Sequence, residues 1–265
     1  MRTTPAPPAP PISPLLVRLF TRYSRGYLRR HFHRVRLLQT HTLPATFEAL
    51  PVVVFLNHAA WWDPLICLLL AAEYFPGRSS FAPIDAQALR RYGFLARLGF
   101  FGVEMGSTRG AATFLQTATT ILDSPARMLW VTPQGKFTDA RTRPLDLQRG
   151  LAHLAGRAAP AVFLPLAIEY TFWEERTPEV LLAFGTPLFN QQHRDSCGAD
   201  DWAGALEQSL QDAQDALALA AQRRVPAEWQ ILSRGRAGTT FAYDVWRRAR
   251  AALRGKSFHR EHSGL

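Results

Sequence analysis

The chain is poor in the residues that would mark a disulfide-stapled, metal-binding or membrane-spanning protein. It has two cysteines in 265 residues, Cys67 inside an apolar run and Cys197 in a polar stretch. They form neither a disulfide framework nor a ligand cluster, so no metal is expected and a reducing compartment is the default. Lysine is nearly absent, with Lys136 and Lys256 standing among arginines, and no acid precedes Glu48. No apolar run reaches the ~18 residues of a spanning helix. The longest, Pro64 to Ala72, is far shorter. The Pro/Ala-rich start, Thr4 to Pro11, lacks the apolar segment of a signal peptide, and residues 1–11 read as a disordered lead. The expected location is the cytoplasmic side.

What the chain has is apolar bulk and positive charge. Hydrophobic residues make up 47% and the formal net charge is +10. The bulk is enough for one full α/β core, and the charge calls for an anionic partner: a membrane surface, nucleic acid or acidic small molecules. Within residues 12–47, Leu15, Leu16, Leu19, Phe20, Tyr23, Tyr27, Leu28 and Phe32 recur at helical spacing among Arg18, Arg22, Arg25, Arg29, Arg30, Arg34 and Arg36. A basic face beside aromatics suits a helix lying in a headgroup layer, where anionic lipid contributes about 1 kcal/mol per basic residue. The competing readings are a helix packed on the domain's own core and a nucleic-acid arm. Membrane contact is the expectation adopted, with no nucleic-acid partner. A second basic aromatic segment, from Phe241 through Arg260, gives residues 233–265 the same character.

Between the two basic segments, residues 48–232 alternate strand and helix patterns. Strands are expected at 52–56, 79–83, 100–104, 127–131, 161–169 and 179–184. Helices are expected at 64–75, at 85–98 closed by Gly99, at 108–122 capped by Ser107, at 150–158 and at 201–222. Such alternation predicts the α/β class: a mostly parallel sheet flanked by helices, with basic amphipathic helices at both termini. Its site is expected beyond the strand ends, where Asn57-His58, Gly106 to Arg109 and Gln134 to Lys136 all fall.

One stretch carries chemistry. The apolar strand Val52 to Leu56 stops at Asn57-His58, and Asp63-Pro64 reads as a helix start with Asp63 as N-cap. Four residues separate His58 from Asp63, short enough for imidazole and carboxylate to meet as a base and its orienter. Arg109 falls in the first turn of a helix, against the dipole's own preference, which hints at an anionic ligand, with a plain exposed Arg as the commoner alternative. Cys67, flanked by apolar neighbours, is expected to be an inert thiol.

Asn57-His58-x-x-x-x-Asp63 resembles the first block of the glycerolipid acyltransferases, the family of the bacterial 1-acylglycerol-3-phosphate and lysophospholipid acyltransferases. Thr132-Pro133-Gln134-Gly135-Lys136-Phe137-Thr138 resembles the third block, Phe-Pro-Glu-Gly-Thr-Arg-Ser, in its Pro-x-Gly core, and Leu164-Pro165-Leu166-Ala167-Ile168 resembles the fourth. The resemblance spans residues 50 to 190. It departs from the family pattern at Met105, which stands where the second block has an Arg that holds the acceptor's phosphate, and at Gln134 and Phe137, which replace Glu and Arg.

The resemblance implies transfer of a fatty acyl group from a thioester, acyl-CoA or acyl carrier protein as co-substrate, to a hydroxyl of a lysophospholipid or related glycerolipid. His58 would be the general base and Asp63 its orienter, with no further cofactor. Asn57, Arg109, Gln134, Gly135 and Lys136 are the implied substrate-binding residues. The lost family charges leave two explanations open: an anion site rebuilt from Arg109, Lys136, Arg141 or Arg143, or an acceptor that is not a simple glycerol phosphate. A non-catalytic, basic, membrane-associated or polyanion-binding protein on the same fold is the alternative reading, and a hydrolase using His58 on water is a third.

Overall fold

The computed structural model describes residues 9–39, 47, 49–192 and 197–235. The lead before residue 9 and the basic segment from Phe241 lie outside the described residues. The first long element is helix α1 (Pro14–His31), started by Ser13, whose side chain accepts from the Leu16 N–H. It is followed by strand β1 (Arg34–Leu38). Next come β2 (Val52–Leu56), α2 (Asp63–Tyr74), β3 (Ser79–Asp85), α3 (Ala86–Arg91), β4 (Phe100–Val103) and α4 (Thr108–Ile121). The remainder is β5 (Arg127–Val131), α5 (Gly150–Arg157), β6 (Val162–Thr171), β7 (Glu179–Phe184), β8 (Leu188–Phe189), α6 (Ala199–Arg223) and β9 (Trp229–Arg234).

Among the described residues the strands form one sheet in the order β4-β3-β5-β2-β6-β7-β1-β9, with β8 also paired to β6. The run β4-β3-β5-β2-β6 is parallel, so these five strands end at one edge. β7 runs antiparallel to β6, and β9 to β1. The architecture is thus α/β with a mostly parallel sheet between helices, as the alternation predicts.

The composition of β2 shows why it sits mid-sheet. Val52, Val54 and Leu56 pack with Leu65 and Leu69 of α2 and Leu28 of α1, while Val53 and Phe55 pack with Phe114 of α4, Leu154 of α5 and Trp202 of α6. Successive side chains point to opposite faces, and both faces are covered, so an uninterrupted apolar run is what this position requires. Each such burial contributes about 1.5–3 kcal/mol. Pro165 lies inside β6, where a missing N–H would ordinarily break a ladder. Its neighbour on that side changes there from β8, paired at Val162 and Phe163, to β7, paired from Leu166.

Three elements differ from the sequence reading. The amphipathic helix stops at His31, and Arg34 and Arg36 are buried in β1. Arg36 is accommodated by a two-point ion pair with Glu179 and by stacking 4.6 Å over Trp173. The expected helix over 85–98 divides into α3 and a 3-10 turn, Gly93–Leu98, because glycine has little helical preference. β9 carries Gln230 and Arg234 on exposed positions, which hid its strand character.

α1 turns Ser24 and Leu28 inward, and its outer stripe Leu15, Leu19 and Tyr23 is 64%, 55% and 56% exposed.

Candidate active site

The site begins where β2 leaves the sheet. The Asn57 amide, buried, closes a two-point clasp on β6: its Oδ1 accepts from the Ile168 N–H at 2.8 Å and its Nδ2 donates to the Ile168 carbonyl at 2.9 Å. Both ends of this expected substrate-binding amide are therefore spent on backbone. The clasp fixes the point at which His58 departs.

The loop after β5 then holds the His58 peptide on both sides. The His58 N–H donates to Gln134 Oε1 at 2.9 Å, and its carbonyl accepts from the Thr138 N–H at 2.8 Å. Gln134 is itself buried, with Nε2 directed to the Leu145 carbonyl. Its amide thus positions the histidine backbone and does not face open space.

The imidazole Nδ1 of His58 lies 2.7 Å from Asp63 Oδ2. Asp63 is the first residue of α2, and Trp62 occupies the N-cap without a side-chain bond, so the expected capping role is corrected. The carboxylate instead folds back, accepting from the Ala60 N–H at 3.2 Å and from the Tyr170 hydroxyl at 2.7 Å on Oδ1. A helix's first turn favours an acid. Three donors converging on one buried carboxylate fix its plane, and with it the ring. Because Asp63 accepts, Nδ1 carries the imidazole proton and Nε2 presents its lone pair, the tautomer a general base needs.

Tyr170 was not foreseen. The available signal was positional: it follows Ile168 by two residues, on the same face of β6, at the edge where the parallel strands end. Burial, reinforced by the Asp63 carboxylate, holds its hydroxyl well above the usual tyrosine range, so it remains a donor. The same two causes push the Cys67 thiol up, in keeping with an inert cysteine.

His58 stands at the junction of two cavities. One, of about 630 Å³, is walled by Asp85, Glu104, Ser107, Thr108, Gly135 and Gln148 among others. The second, of about 300 Å³, is walled by Leu68, Phe81, Leu98, Phe100 and Trp130, with Cys67 and Trp61. His58, Pro83, Ile84 and Thr132 border both. Phe137 covers the imidazole at 4.2 Å between ring centroids and belongs to the apolar cavity.

The remaining expected site residues divide. Gly135, at φ +67°, lines the larger cavity, and its N–H is taken by the Thr132 carbonyl. A Cβ there would come within 3.2 Å of Met105 Cε, so the turn and the β4–α4 loop approach closely. Lys136 is exposed, 3.8 Å from Asp146, and lines neither cavity. Arg109 is exposed on the first turn of α4 and also lines neither. The structure therefore gathers His58, Asp63, Gln134 and Gly135, and leaves Arg109 and Lys136 outside. Among the described residues no group of three or more His, Cys, Asp or Glu side chains is arranged to hold a metal ion.

A carboxylate-oriented imidazole opening onto one cavity of mixed lining and one apolar cavity can activate a hydroxyl beside a lipid chain. A search of curated proteins returned no match. A family model described as Acyltransferase matches residues 34–169, just over half of the chain and the segment that contains His58, Asp63, Arg109 and the Gln134 turn. The chain belongs to this family, the glycerolipid acyltransferases.

Proposed function

We propose that this acyltransferase moves a fatty acyl group from an acyl thioester, acyl-CoA or acyl carrier protein, to a hydroxyl of a lysolipid or related glycerolipid. The observation that carries the reading is the 2.7 Å contact of His58 Nδ1 with Asp63 at the meeting of the two cavities. His58 Nε2 takes the acceptor's hydroxyl proton as the oxygen attacks the thioester carbon. The tetrahedral intermediate collapses, the C–S bond breaks, and the imidazolium returns the proton to the departing thiolate. Asp63 stabilises the transient imidazolium, as the acid of a hydrolytic triad does. The apolar cavity suits the acyl chain, and no protein nucleophile is needed.

The lipid partner and a peripheral location on the cytoplasmic face of a membrane belong to the same proposal. No helix among the described residues is long and apolar enough to cross a membrane. The exposed stripe Leu15, Leu19 and Tyr23 lies among exposed Arg18, Arg22, Arg29 and Arg30, the composition of an interfacial helix.

The test is thioester cleavage with product identification. His58→Ala, with an unchanged circular dichroism spectrum, is expected to release no thiol above background. Wild-type rates in that variant across donors and acceptors would end the proposal. Free fatty acid in place of ester would turn it into a hydrolase. Vesicle binding by the wild-type protein without thiol release would favour the non-catalytic alternative.

A further inference from the structure

The second family block places an arginine at the position of Met105, and the third places another at Phe137. Of the four cations that could replace them, three are paired with acids and none lines the cavity next to His58. Lys136 faces Asp146, Arg141 chelates Asp139 through two bonds, Arg143 pairs with Asp215 at 2.6 Å, and Arg109 is exposed in the first turn of α4. Arg141 and Arg143 border a separate small cavity beside Glu169. Among the described residues no Lys or Arg lines the cavity next to His58.

Apart from His58, the ionisable wall residues of that cavity are both acidic and both exposed. The parallel strands β3 and β4, paired at Asp85 and Val103, deliver Asp85 and the adjacent Glu104 to its wall. One Asp85 oxygen caps α3 through the Gln87 N–H; the Glu104 side chain makes no hydrogen bond or ion pair with the described residues. Ser107, Thr108 and Gln148 complete the polar wall. Met105 leans towards Gly135 and Phe137 towards His58, so the two former arginine positions now present a thioether and a ring. An entering phosphomonoester would meet acidic side chains with no counter-ion, an arrangement that costs affinity at each step of approach. A hydroxyl donor would instead find acceptors.

Resting on the acyl-transfer reading above, we infer that the acceptor is phosphate-free: its headgroup is uncharged and rich in hydroxyl donors, of the polyol or glycoside kind, held by Glu104 and Asp85 while one hydroxyl meets His58. The acidic wall excludes the glycerol phosphate type of acceptor, and the substitutions at 105 and 137 are the change of specificity itself.

The experiment supplies the full-length protein with one acyl-CoA and, in parallel, 1-monoacylglycerol, an alkyl glucoside and lysophosphatidate, following thiol release and identifying the ester by mass spectrometry. The expected result is ester on one or both neutral acceptors at a kcat/KM at least tenfold above lysophosphatidate. Met105→Arg should raise lysophosphatidate turnover about tenfold, and Glu104→Gln should lower neutral-acceptor turnover by a similar factor, mostly through KM. Preference for lysophosphatidate by the wild-type protein overturns the inference and leaves the acyl-transfer reading standing. Ester on none of the acceptors, with either acyl-CoA or the acyl carrier protein thioester as donor, overturns both.

Discussion

Tyr170→Phe tests whether the imidazole's orientation is set by a chain of three side chains. The substitution keeps the ring and removes one oxygen, which now lies 2.7 Å from Asp63 Oδ1. A hydrogen bond to a charged group contributes about 1.5–3 kcal/mol net, and its loss leaves one oxygen of a buried carboxylate short of a donor. Asp63 would retain His58 and the Ala60 N–H, both on Oδ2, so the carboxylate becomes free to turn about its bond to the chain. The ceiling on the rate effect is the roughly 10⁴-fold loss when the orienting acid of a serine-protease triad is neutralised. A partial loosening should lower kcat about ten- to a hundredfold, about 1.4–2.7 kcal/mol, with KM little changed. Stopped-flow thiol release at saturating donor and acceptor reads kcat directly, and thermal melts monitor the fold. A Tyr170→Phe protein with wild-type kcat and a lowered Tm would show that the hydroxyl only braces the sheet, refuting the orientation argument.

Three further outcomes follow from the same physics. Cys67 and Tyr170 both hold their protons above their ordinary ranges in the fold, so unfolding releases protons at alkaline pH and stability falls as pH rises from about 8.5. Urea midpoints between pH 7 and 10.5 should decline less steeply in Cys67→Ala and in Tyr170→Phe, and identical slopes would contradict the assignment. Arg36→Met leaves the Glu179 carboxylate buried without its main partner and should cost about 3–5 kcal/mol in urea titrations, whereas Arg36→Met with Glu179→Leu should recover most of it. Gln134→Glu, which supplies the family's usual residue, loses the donor to the Leu145 carbonyl and should destabilise by about 1–3 kcal/mol; a melt with no shift would disprove the structural role given to that amide.

Much of this arrangement was legible in the sequence wherever local composition and final environment agree. Val52–Leu56, Arg127–Val131 and Glu179–Phe184 are strands at the residues expected, because short apolar runs bounded by breakers have few other destinations. The contact of His58 with Asp63 was readable because it closes within one turn of chain. What escaped depends on distant partners. β1 carries two arginines, and burying Arg36 there draws on Trp173 and on Glu179, 143 residues away. Tyr170 reaches Asp63 across 107 residues, and Asn57 reaches Ile168 across 111. Arg109 and Lys136 were expected as anion ligands by position along the chain, yet what a side chain lines is set by tertiary packing, and both are exposed and line neither cavity.

The two bonds that the 132–138 loop makes to the main chain of His58 have an engineering consequence. Proton acceptor and cavity wall share one support, so replacing that loop with a relative's to alter substrate range would move the reactive ring as well. The β4–α4 connection approaches the loop through Met105 but makes no hydrogen bond to His58. Divergence of acceptor preference in this scaffold can proceed there, one side chain at a time, without disturbing the chemistry it serves.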